Sequence, residues 1–248
     1  MKTISVVIPA RNEEATIGKI LDDLNGAIAA CPQYSFEVIV VIDSADDPTG
    51  ALARNKGALV IFNQLGKGKG AALASGFKSA KGDAIIMFDS DGSHNPKDIG
   101  VFIDAMEKGA GLAIGSRVVG GSDDQNVVRL FGNAVFTFLF SLLFGVNIMD
   151  VLNGYKAFRR EVVAGCRHRA KGFDVEIEIV AQAIRKGYLV VEVSTHENRR
   201  LGGVMKSHAL RDGFQILLAI LRDGSSYRLW RLFHWKKKDS GAASPVVK

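Results

Sequence analysis

Two aspartates separated by one serine are the residues whose spacing most directly indicates chemistry. They lie in Asp89-Ser90-Asp91-Gly92-Ser93-His94, which directly follows the apolar stretch Ala84–Phe88. In a tight turn both carboxylates can reach one hard cation, and Mg²⁺ held in this way completes its shell with water and substrate phosphate oxygens. A solvated turn uses the same residue types, but the position between a buried strand and a capped helix favours a metal. We therefore expect Asp89 and Asp91 to hold Mg²⁺ or Mn²⁺.

A glycine-rich loop offers groups that suit an anion. Gly66-Lys67-Gly68-Lys69-Gly70 opens a predicted helix, so its backbone N–H groups and its two lysines can meet a phosphate. The loop has neither the Walker spacing nor the G-x-G-x-x-G pattern of a dinucleotide site. Taken alone, the loop is open to two interpretations, an anion site or a structural turn.

These loops must be positioned by a regular framework, and the sequence predicts a parallel sheet. Short apolar runs alternate with stretches of helical period, which is typical of a sheet covered by helices on both faces. The predicted strands are Ile4–Ile8, Phe36–Ile42, Ala58–Phe62, Ala84–Phe88, Leu112–Ile114 and Tyr188–Ser194. The predicted helices are Glu14–Ala29, Gly50–Lys56, Gly70–Ala80 and Pro96–Lys108. Because ligands bind at the carboxyl ends of such strands, we expect the polar clusters that follow the first five strands to converge there.

The second half contains an apolar segment without a single charge, Leu130–Met149. Twenty residues are enough to span a bilayer, but several polar and glycine residues dilute this segment. A spanning helix, a helical segment in the membrane interface and a buried core helix all remain open, and we favour the interface.

The C-terminal residues combine aromatic and basic side chains. In Tyr227–Trp235, four apolar residues share one helical arc, and Lys236, Lys237 and Lys238 follow. This pattern is typical of a helix resting on an anionic membrane surface, although a terminal helix packed on the body would look similar. Residues 222–248 hold seven basic and two acidic residues, so they carry five of the six net positive charges. The remainder is nearly neutral, which argues against a nucleic-acid partner.

Composition sets broad limits on the class of protein. The chain has 248 residues, of which 47% are hydrophobic and 23% charged, as in an ordinary globular protein. Its two cysteines are far apart and form no disulfide framework or zinc ribbon. The N-terminal apolar run is shorter than that of a signal peptide. We expect a cytoplasmic protein, peripheral on the cytoplasmic face of a membrane.

In their order along the chain, the loop motifs resemble those of family 2 glycosyltransferases of the GT-A fold. The matching motifs are Pro9-Ala10-Arg11-Asn12-Glu13-Glu14, Asp43, Gly68–Ala72, Asp89–His94 and Gly115-Ser116-Arg117. Two more, Asp150–Phe158 and Arg200–Lys206, resemble the dolichyl-phosphate mannose synthase branch, which makes polyprenyl-phosphate sugars. The resemblance implies a Rossmann-like, mainly parallel α/β sheet flanked by helices, with membrane-interface helices in the C-terminal half. It places a GT-A domain at residues 1–221, before a basic amphipathic tail at 222–248.

The resemblance also implies roles for individual residues. Nucleoside contacts are expected from Pro9, Arg11, Glu13 and Asp43. The metal and diphosphate are expected at Asp89, Ser90, Asp91 and Ser93, the last of which replaces a glutamine ligand common in relatives. Contacts to the donor phosphates are expected from Lys69, Arg200 and Lys206. The acceptor phosphate is expected at Arg117, Arg129 and Asn133, and the catalytic set is Asp89, Asp91 and Arg117. Glu176 either touches substrate or stabilises its helix, and we favour the second.

The implied reaction is transfer of a hexose from GDP-mannose or UDP-glucose to dolichyl or polyprenyl phosphate, with inversion. A lipid monophosphate needs no general base because it is mostly dianionic at pH 7, which agrees with the lack of an obvious base motif. Two alternatives remain open: a transferase with a soluble acceptor, and a non-catalytic nucleotide-binding membrane module. A separate membrane subunit or a homo-oligomer is also left open by the sequence.

Overall fold

The computed structural model describes residues 1–123, 126–202 and 209–234, and within these ranges seven strands form one mixed sheet. In chain order the strands are β1 (Thr3–Pro9), β2 (Ser35–Ile42), β3 (Leu59–Phe62), β4 (Ala84–Met87), β5 (Leu112–Ser116), β6 (Lys156–Arg159) and β7 (Val190–Ser194). Their spatial order is β3-β2-β1-β4-β6-β5-β7. All neighbouring pairs are parallel except the two that involve β6, which runs antiparallel between β4 and β5.

Helices cover both faces of the sheet, as the alternating pattern predicts. They are α1 (Ile17–Ala29), α2 (Pro48–Asn55), α3 (Lys69–Ser79), α4 (Ile99–Glu107), α5 (Arg117–Gly120), α6 (Val127–Phe144), α7 (Arg160–Val163), α8 (Val175–Arg185) and α9 (Ala209–His234). A short 3-10 turn, Pro96–Asp98, precedes α4, and the Asn95 side chain caps it by accepting the Lys97 N–H. The six predicted strands and the four predicted front-half helices are confirmed, with small differences at their ends.

The alternation of side chains along each strand divides the core into two clusters. On β1, Val7 packs with Ile39 and Leu73 beneath α3, whereas Ile4 and Val6 pack on the opposite face with α1 and α4. Because successive strand residues point to opposite faces, an apolar run buried on both sides supplies both clusters. Both faces of the sheet are therefore occupied by apolar side chains, and the polar groups lie in the loops at the strand ends.

Strand β6 is the one strand of the described sheet that the sequence did not predict. Its four residues, Lys156-Ala157-Phe158-Arg159, are too few to show a period, and two of them are basic. The strand nevertheless pairs on both sides, with β4 and with β5. It carries the buried Lys156, which pairs with Met87 two residues before Asp89 and the predicted metal loop Asp89–His94, so its position matters for the site.

Most of the apolar segment Leu130–Met149 lies in α6, which begins at Val127 and ends at Phe144. Gly145 follows in the left-handed conformation and caps the helix. Among the described residues, α6 alone is long and apolar enough to cross a membrane by length and composition. Its mean hydropathy is 1.9 and 17% of it is buried, which by itself is weak evidence for a span.

Helix α9 packs along α6 and continues through residue 234 without a break. Gly224 permits this contact, because a Cβ there would lie 2.7 Å from the Leu143 Cβ. The Tyr227 ring stacks on Phe144 at 5.0 Å, and the Arg228 guanidinium donates to the Leu142 and Leu143 carbonyls. The boundary predicted after residue 221 falls inside α9, so no change of secondary structure marks it. The residues from Trp235 onward, Lys236–Lys238 included, lie outside the described residues.

Candidate functional site

The predicted site residues lie at the carboxyl ends of neighbouring strands. Ser90, after β4, donates its hydroxyl to the Pro9 carbonyl at the end of β1, with a distance of 2.9 Å. Arg11 Nε lies 4.0 Å from Asp43 Oδ2, which joins the ends of β1 and β2. The Glu13 backbone N–H donates to Thr49 Oγ1 at 2.8 Å, which fixes the loop after β1 against α2. The structure therefore brings the predicted nucleoside residues beside the predicted metal loop.

A chain of alternating charges runs from the metal loop into the core. Lys69 Nζ lies 2.8 Å from Asp89 Oδ1 and 3.0 Å from Glu176 Oε1. The second oxygen of Glu176 lies 3.2 Å from Nζ of Lys156, which is fully buried. The Lys156 ammonium also donates to the carbonyls of Val151 and Asn153. Each buried charge thus has a partner of opposite sign, and Glu176 holds two lysines in place.

These contacts determine the charge states of Asp89, Lys69 and Lys156. Burial alone would raise the pKa of Asp89, but the ammonium of Lys69 and smaller contributions lower it from 3.8 to about 2. Burial opposes the charge of Lys69 too, yet Asp89 and Glu176 together raise its pKa. For Lys156 burial prevails, so its pKa is lowered despite Glu176. Asp89 is therefore an ionised carboxylate at neutral pH.

The segment that follows β7 lies over the metal loop. The Leu201 N–H donates to the Asp91 carbonyl at 2.9 Å, and Arg200 Nε lies 3.3 Å from Asp91 Oδ2. Gly92 has a positive φ of 82°, and a Cβ there would lie 2.6 Å from the Leu201 side chain. The predicted donor residue Arg200 thus contacts the predicted metal ligand Asp91. Lys206, its predicted companion, lies outside the described residues.

The residues at this loop fit a divalent cation with few protein ligands. Asp91 Oδ1 accepts the backbone N–H of Ser93 at 3.0 Å and its hydroxyl at 2.6 Å, so the loop is already folded as a tight turn. In the described parts of the chain, no group of three or more His, Cys, Asp or Glu side chains could hold a metal alone. Two carboxylates and a hydroxyl are oxygen donors of the kind Mg²⁺ prefers, with water and phosphate completing the shell.

His94 belongs to the framework of this loop. Burial lowers the pKa of its imidazole, and Nδ1 accepts the backbone N–H of Asp89 at 3.1 Å. Its ring stacks on Tyr155 at 4.6 Å. A neutral ring held from both sides positions the Asp89 backbone and does not act as a free base.

The predicted acceptor residues lie on a different part of the same edge. Arg117 follows β5 and forms a two-point ion pair with the buried Asp150, while its Nη1 lies 3.4 Å from Glu197 Oε1. Burial acts against the charge, but Asp150 raises the pKa of the Arg117 guanidinium. Arg129 and Asn133 precede Thr137 by two turns and one turn of α6, so they share its helix face. Because Thr137 accepts the Val151 N–H, this face is turned toward the Asp150 loop.

Three residues that sequence analysis did not assign to the site prove important to its geometry. From the sequence, Asp150 and Lys156 are named only as parts of the motif Asp150–Phe158. Lys156 could have been found, because a lysine next to the apolar residues Ala157 and Phe158 indicates a buried charge with a partner. Gly154 lies against the metal loop: a Cβ there would be 2.8 Å from Asp89 Oδ2 and 3.0 Å from Lys69 Nζ. Only a residue without a side chain allows the backbone to approach the two charges so closely.

Comparison with known proteins places this site in a family. A family model described as glycosyl transferase family 2 matches residues 5–166. Polyprenol monophosphomannose synthase of Mycolicibacterium smegmatis is 35% identical over 212 residues, which are 79% of this chain and 78% of that protein. Dolichol-phosphate mannosyltransferase of Pyrococcus furiosus is 31% identical over 198 residues, 77% of this chain and 55% of its own length.

A solved structure shares the fold at lower identity. Glucosyl-3-phosphoglycerate synthase from Mycobacterium tuberculosis, in complex with Mn²⁺, UDP-glucose and phosphoglyceric acid, superimposes with a TM-score of 0.72 and 22% identity. The match covers 90% of this chain and 80% of that one, so the α/β fold of GT-A type is confirmed. The chain therefore belongs to glycosyl transferase family 2, is a glycosyltransferase, and groups with the polyprenyl-phosphate branch that its motifs resemble.

Proposed function

We propose that this enzyme transfers a hexose from a nucleotide diphosphate sugar, GDP-mannose or UDP-glucose, to dolichyl or polyprenyl phosphate, inverting the anomeric carbon. One observation carries the proposal: charged side chains and an apolar helix follow the same ends of the sheet. Asp89 and Asp91 follow the carboxyl end of β4, Arg117 follows that of β5, and α6 begins ten residues after Arg117. The names of the two relatives given above specify acceptors of this chemical class.

The donor lies across the ends of β1, β2 and β4 in this proposal. The nucleoside contacts Pro9, Arg11, Glu13 and Asp43. The diphosphate contacts Lys69, Ser90, Arg200 and Lys206. Lys69 and Arg200 support this assignment, since each is a cation already beside a carboxylate of the metal loop. The phosphate groups of the donor then enter a site whose positive charges are in place before binding, which lowers the cost of ordering them.

Asp89 and Asp91, with Ser93, would hold Mg²⁺ or Mn²⁺. The bound ion supplies Lewis-acid stabilisation to the departing nucleoside diphosphate. The chain's own contribution is to keep Asp89 ionised through Lys69 and to hold the turn rigid through Ser93.

The acceptor phosphate contacts Arg117, Arg129 and Asn133. A lipid monophosphate is mostly dianionic at pH 7, so no side chain has to remove a proton from the nucleophile. The planar guanidinium binds a phosphate through two donors without taking its charge. The rigid pairing of Arg117 with Asp150 supports a positioning role of this kind.

The lipid chain and the membrane account for the apolar surface in this proposal. α6 leaves several large side chains exposed: Val127, Val128, Leu130, Phe131, Phe138 and Leu142. The end of α9 adds Leu229, Trp230, Leu232 and Phe233. A group of large exposed apolar side chains of this kind indicates an interaction surface. We propose that it rests on the cytoplasmic face of a membrane, with the enzyme bound peripherally.

A transfer assay tests the proposal. Purified full-length protein is incubated with Mg²⁺ or Mn²⁺ and labelled GDP-mannose or UDP-glucose, with and without polyprenyl phosphate, and label is counted in the organic phase. We expect label there only with the lipid phosphate, and its loss with EDTA. Label in a water-soluble product instead would contradict the lipid acceptor. Donor binding without transfer of label would contradict the proposed pair of donor and acceptor.

A further inference from the structure

A cavity of about 260 Å³ beside α3 is lined by positive charge, and none of the residues that line it is a predicted donor or acceptor residue. Its basic side chains are Lys78, Arg167, His168, Arg169 and Lys171, and its apolar floor includes Leu65, Ala71 and Ala74. No aspartate or glutamate lines it in the part of the chain that the structure describes. Among the described residues, no ion pair with a carboxylate is formed by four of these basic side chains: Lys78, Arg167, Arg169 and Lys171. The cavity therefore carries uncompensated positive charge.

Three of these charges lie on alternate residues of the segment 167–171. Arg167, Arg169 and Lys171 alternate with His168 and Ala170, and the three odd-numbered residues are exposed while Ala170 is buried. Lys78 comes from the last turn of α3 and reaches the same cavity from the other side.

The backbone of this segment is held rigidly. Glu178 accepts the N–H groups of Arg169 and Ala170 at 2.9 and 2.8 Å, and its other oxygen lies 3.0 Å from His168 Nδ1. At the far end, the Lys171 carbonyl accepts the Gly70 N–H at 2.9 Å. Two carboxylates near the segment are engaged by backbone groups, Glu178 as described and Asp174 by the Gly172 N–H at 2.9 Å. Among the described residues, neither forms an ion pair with Arg167, Arg169 or Lys171. An ordered backbone lowers the entropy cost of bringing these side chains to an anion.

We propose that Lys78, Arg167, Arg169 and Lys171 form a second anion site, which binds the phosphate group of an anionic lipid or of a free phosphate compound. Both ligands offer the same chemistry, a phosphate that several cations can share. The lipid source has a structural argument of its own. The residue after Lys171, Gly172, lies against Gln215 of α9, one residue from the exposed Phe214. The basic cavity therefore lies near the part of α9 that carries Phe214, which is 62% exposed.

The test compares a double variant with a control of equal charge. Arg167→Gln/Arg169→Gln removes two exposed cations from the cavity. Lys2→Gln/Lys108→Gln removes two exposed cations that do not line the cavity. Full-length proteins are mixed with phosphatidylcholine vesicles, with and without phosphatidylglycerol, and cosedimentation is measured. In a separate arm, the rise of Tm with inorganic phosphate is followed at constant ionic strength.

We expect the cavity variant to bind phosphatidylglycerol vesicles about 10- to 30-fold more weakly than the wild type, since each cation near an anionic surface contributes to attraction. The control variant should lose less than about threefold. A selective loss in the vesicle arm assigns the site to a lipid headgroup, and a selective loss of the phosphate-dependent Tm assigns it to a free phosphate compound. If the two variants behave alike in both arms, the site does not exist. Should the arginine variant fail to fold, Lys78→Gln/Lys171→Gln tests the same cavity.

Discussion

Arg117 and Asp150 face each other in a two-point ion pair, with 2.7 Å from Nη2 to Oδ1 and 2.8 Å from Nε to Oδ2. Asp150 is only 3% exposed, and the same carboxylate also accepts the Arg117 backbone N–H at 3.0 Å. Behind it, Glu192 accepts the N–H groups of Met149 and Asp150. The guanidinium therefore has one orientation, set by a loop 33 residues away in sequence.

Asp150→Asn should lower the free energy of unfolding by about 1.5–3 kcal/mol, because it replaces a charged acceptor by a neutral one in a buried ion pair. Urea denaturation of the variant and the wild type measures this change. Asp104→Asn, an exposed carboxylate on α4, serves as the control and should stay within about 0.5 kcal/mol. Equal stability of the two variants would show that the ion pair between Arg117 and Asp150 does not stabilise the fold.

Asp89 should contribute stability that depends on pH. Its pKa is lowered from 3.8 to about 2 in the folded state, so the stabilisation is fully present above pH 4 and is lost as the pH falls toward 2. The shift corresponds to about 2 kcal/mol. We expect the stability difference between the wild type and Asp89→Asn to shrink steadily between pH 4 and pH 2 in urea titrations. A difference that does not vary over this range would contradict the ion pair with Lys69.

Gly154→Ala should disturb the metal loop while leaving the core folded. The added methyl would lie 2.8 Å from Asp89 Oδ2, so the carboxylate or the Lys69 ammonium must move. Displacements of this order cost about 10²-fold in rate, and we expect a corresponding loss of transfer together with weaker Mn²⁺ binding by electron paramagnetic resonance. Gly18→Ala in α1 is the matched control, because its methyl meets no atom within 4 Å. Unchanged Mn²⁺ binding by Gly154→Ala would show that the absence of a side chain at Gly154 is not needed for metal binding.

Phe131→Ser/Phe138→Ser should weaken vesicle binding without unfolding the protein. These rings are 72% and 66% exposed on α6, so they contribute little to the core but would be buried in a membrane interface. We expect cosedimentation with vesicles to fall at least about tenfold. Leu59→Ser/Phe62→Ser, with side chains 50% and 45% exposed on β3, tests whether any exposed apolar pair has this effect. Equal losses in both variants would mean that α6 is not the membrane-facing surface.

Local patterns in the sequence were sufficient for most of the architecture. The strands at Ile4–Ile8 and Phe36–Ile42 and the helix ending at Ala29 follow from apolar period and turn residues, which act over a few neighbouring positions. The convergence of the Asp43 and Asp89–His94 loops also followed, because parallel strands end at one edge. The motif order was enough to identify the family.

The sequence by itself therefore determined the layered α/β fold and the family, and it predicted the edge that carries the site and the carboxylates at that edge. Tertiary structure alone decided how those groups are paired: Lys69 with Glu176, Arg117 with Asp150, and Gly154 against Asp89. It also decided that β6 enters the sheet and that one continuous helix joins residues 209–234. The physical reason is range. Periodicity and turn chemistry are local, whereas an ion pair or a close backbone contact depends on where distant segments meet in the folded chain.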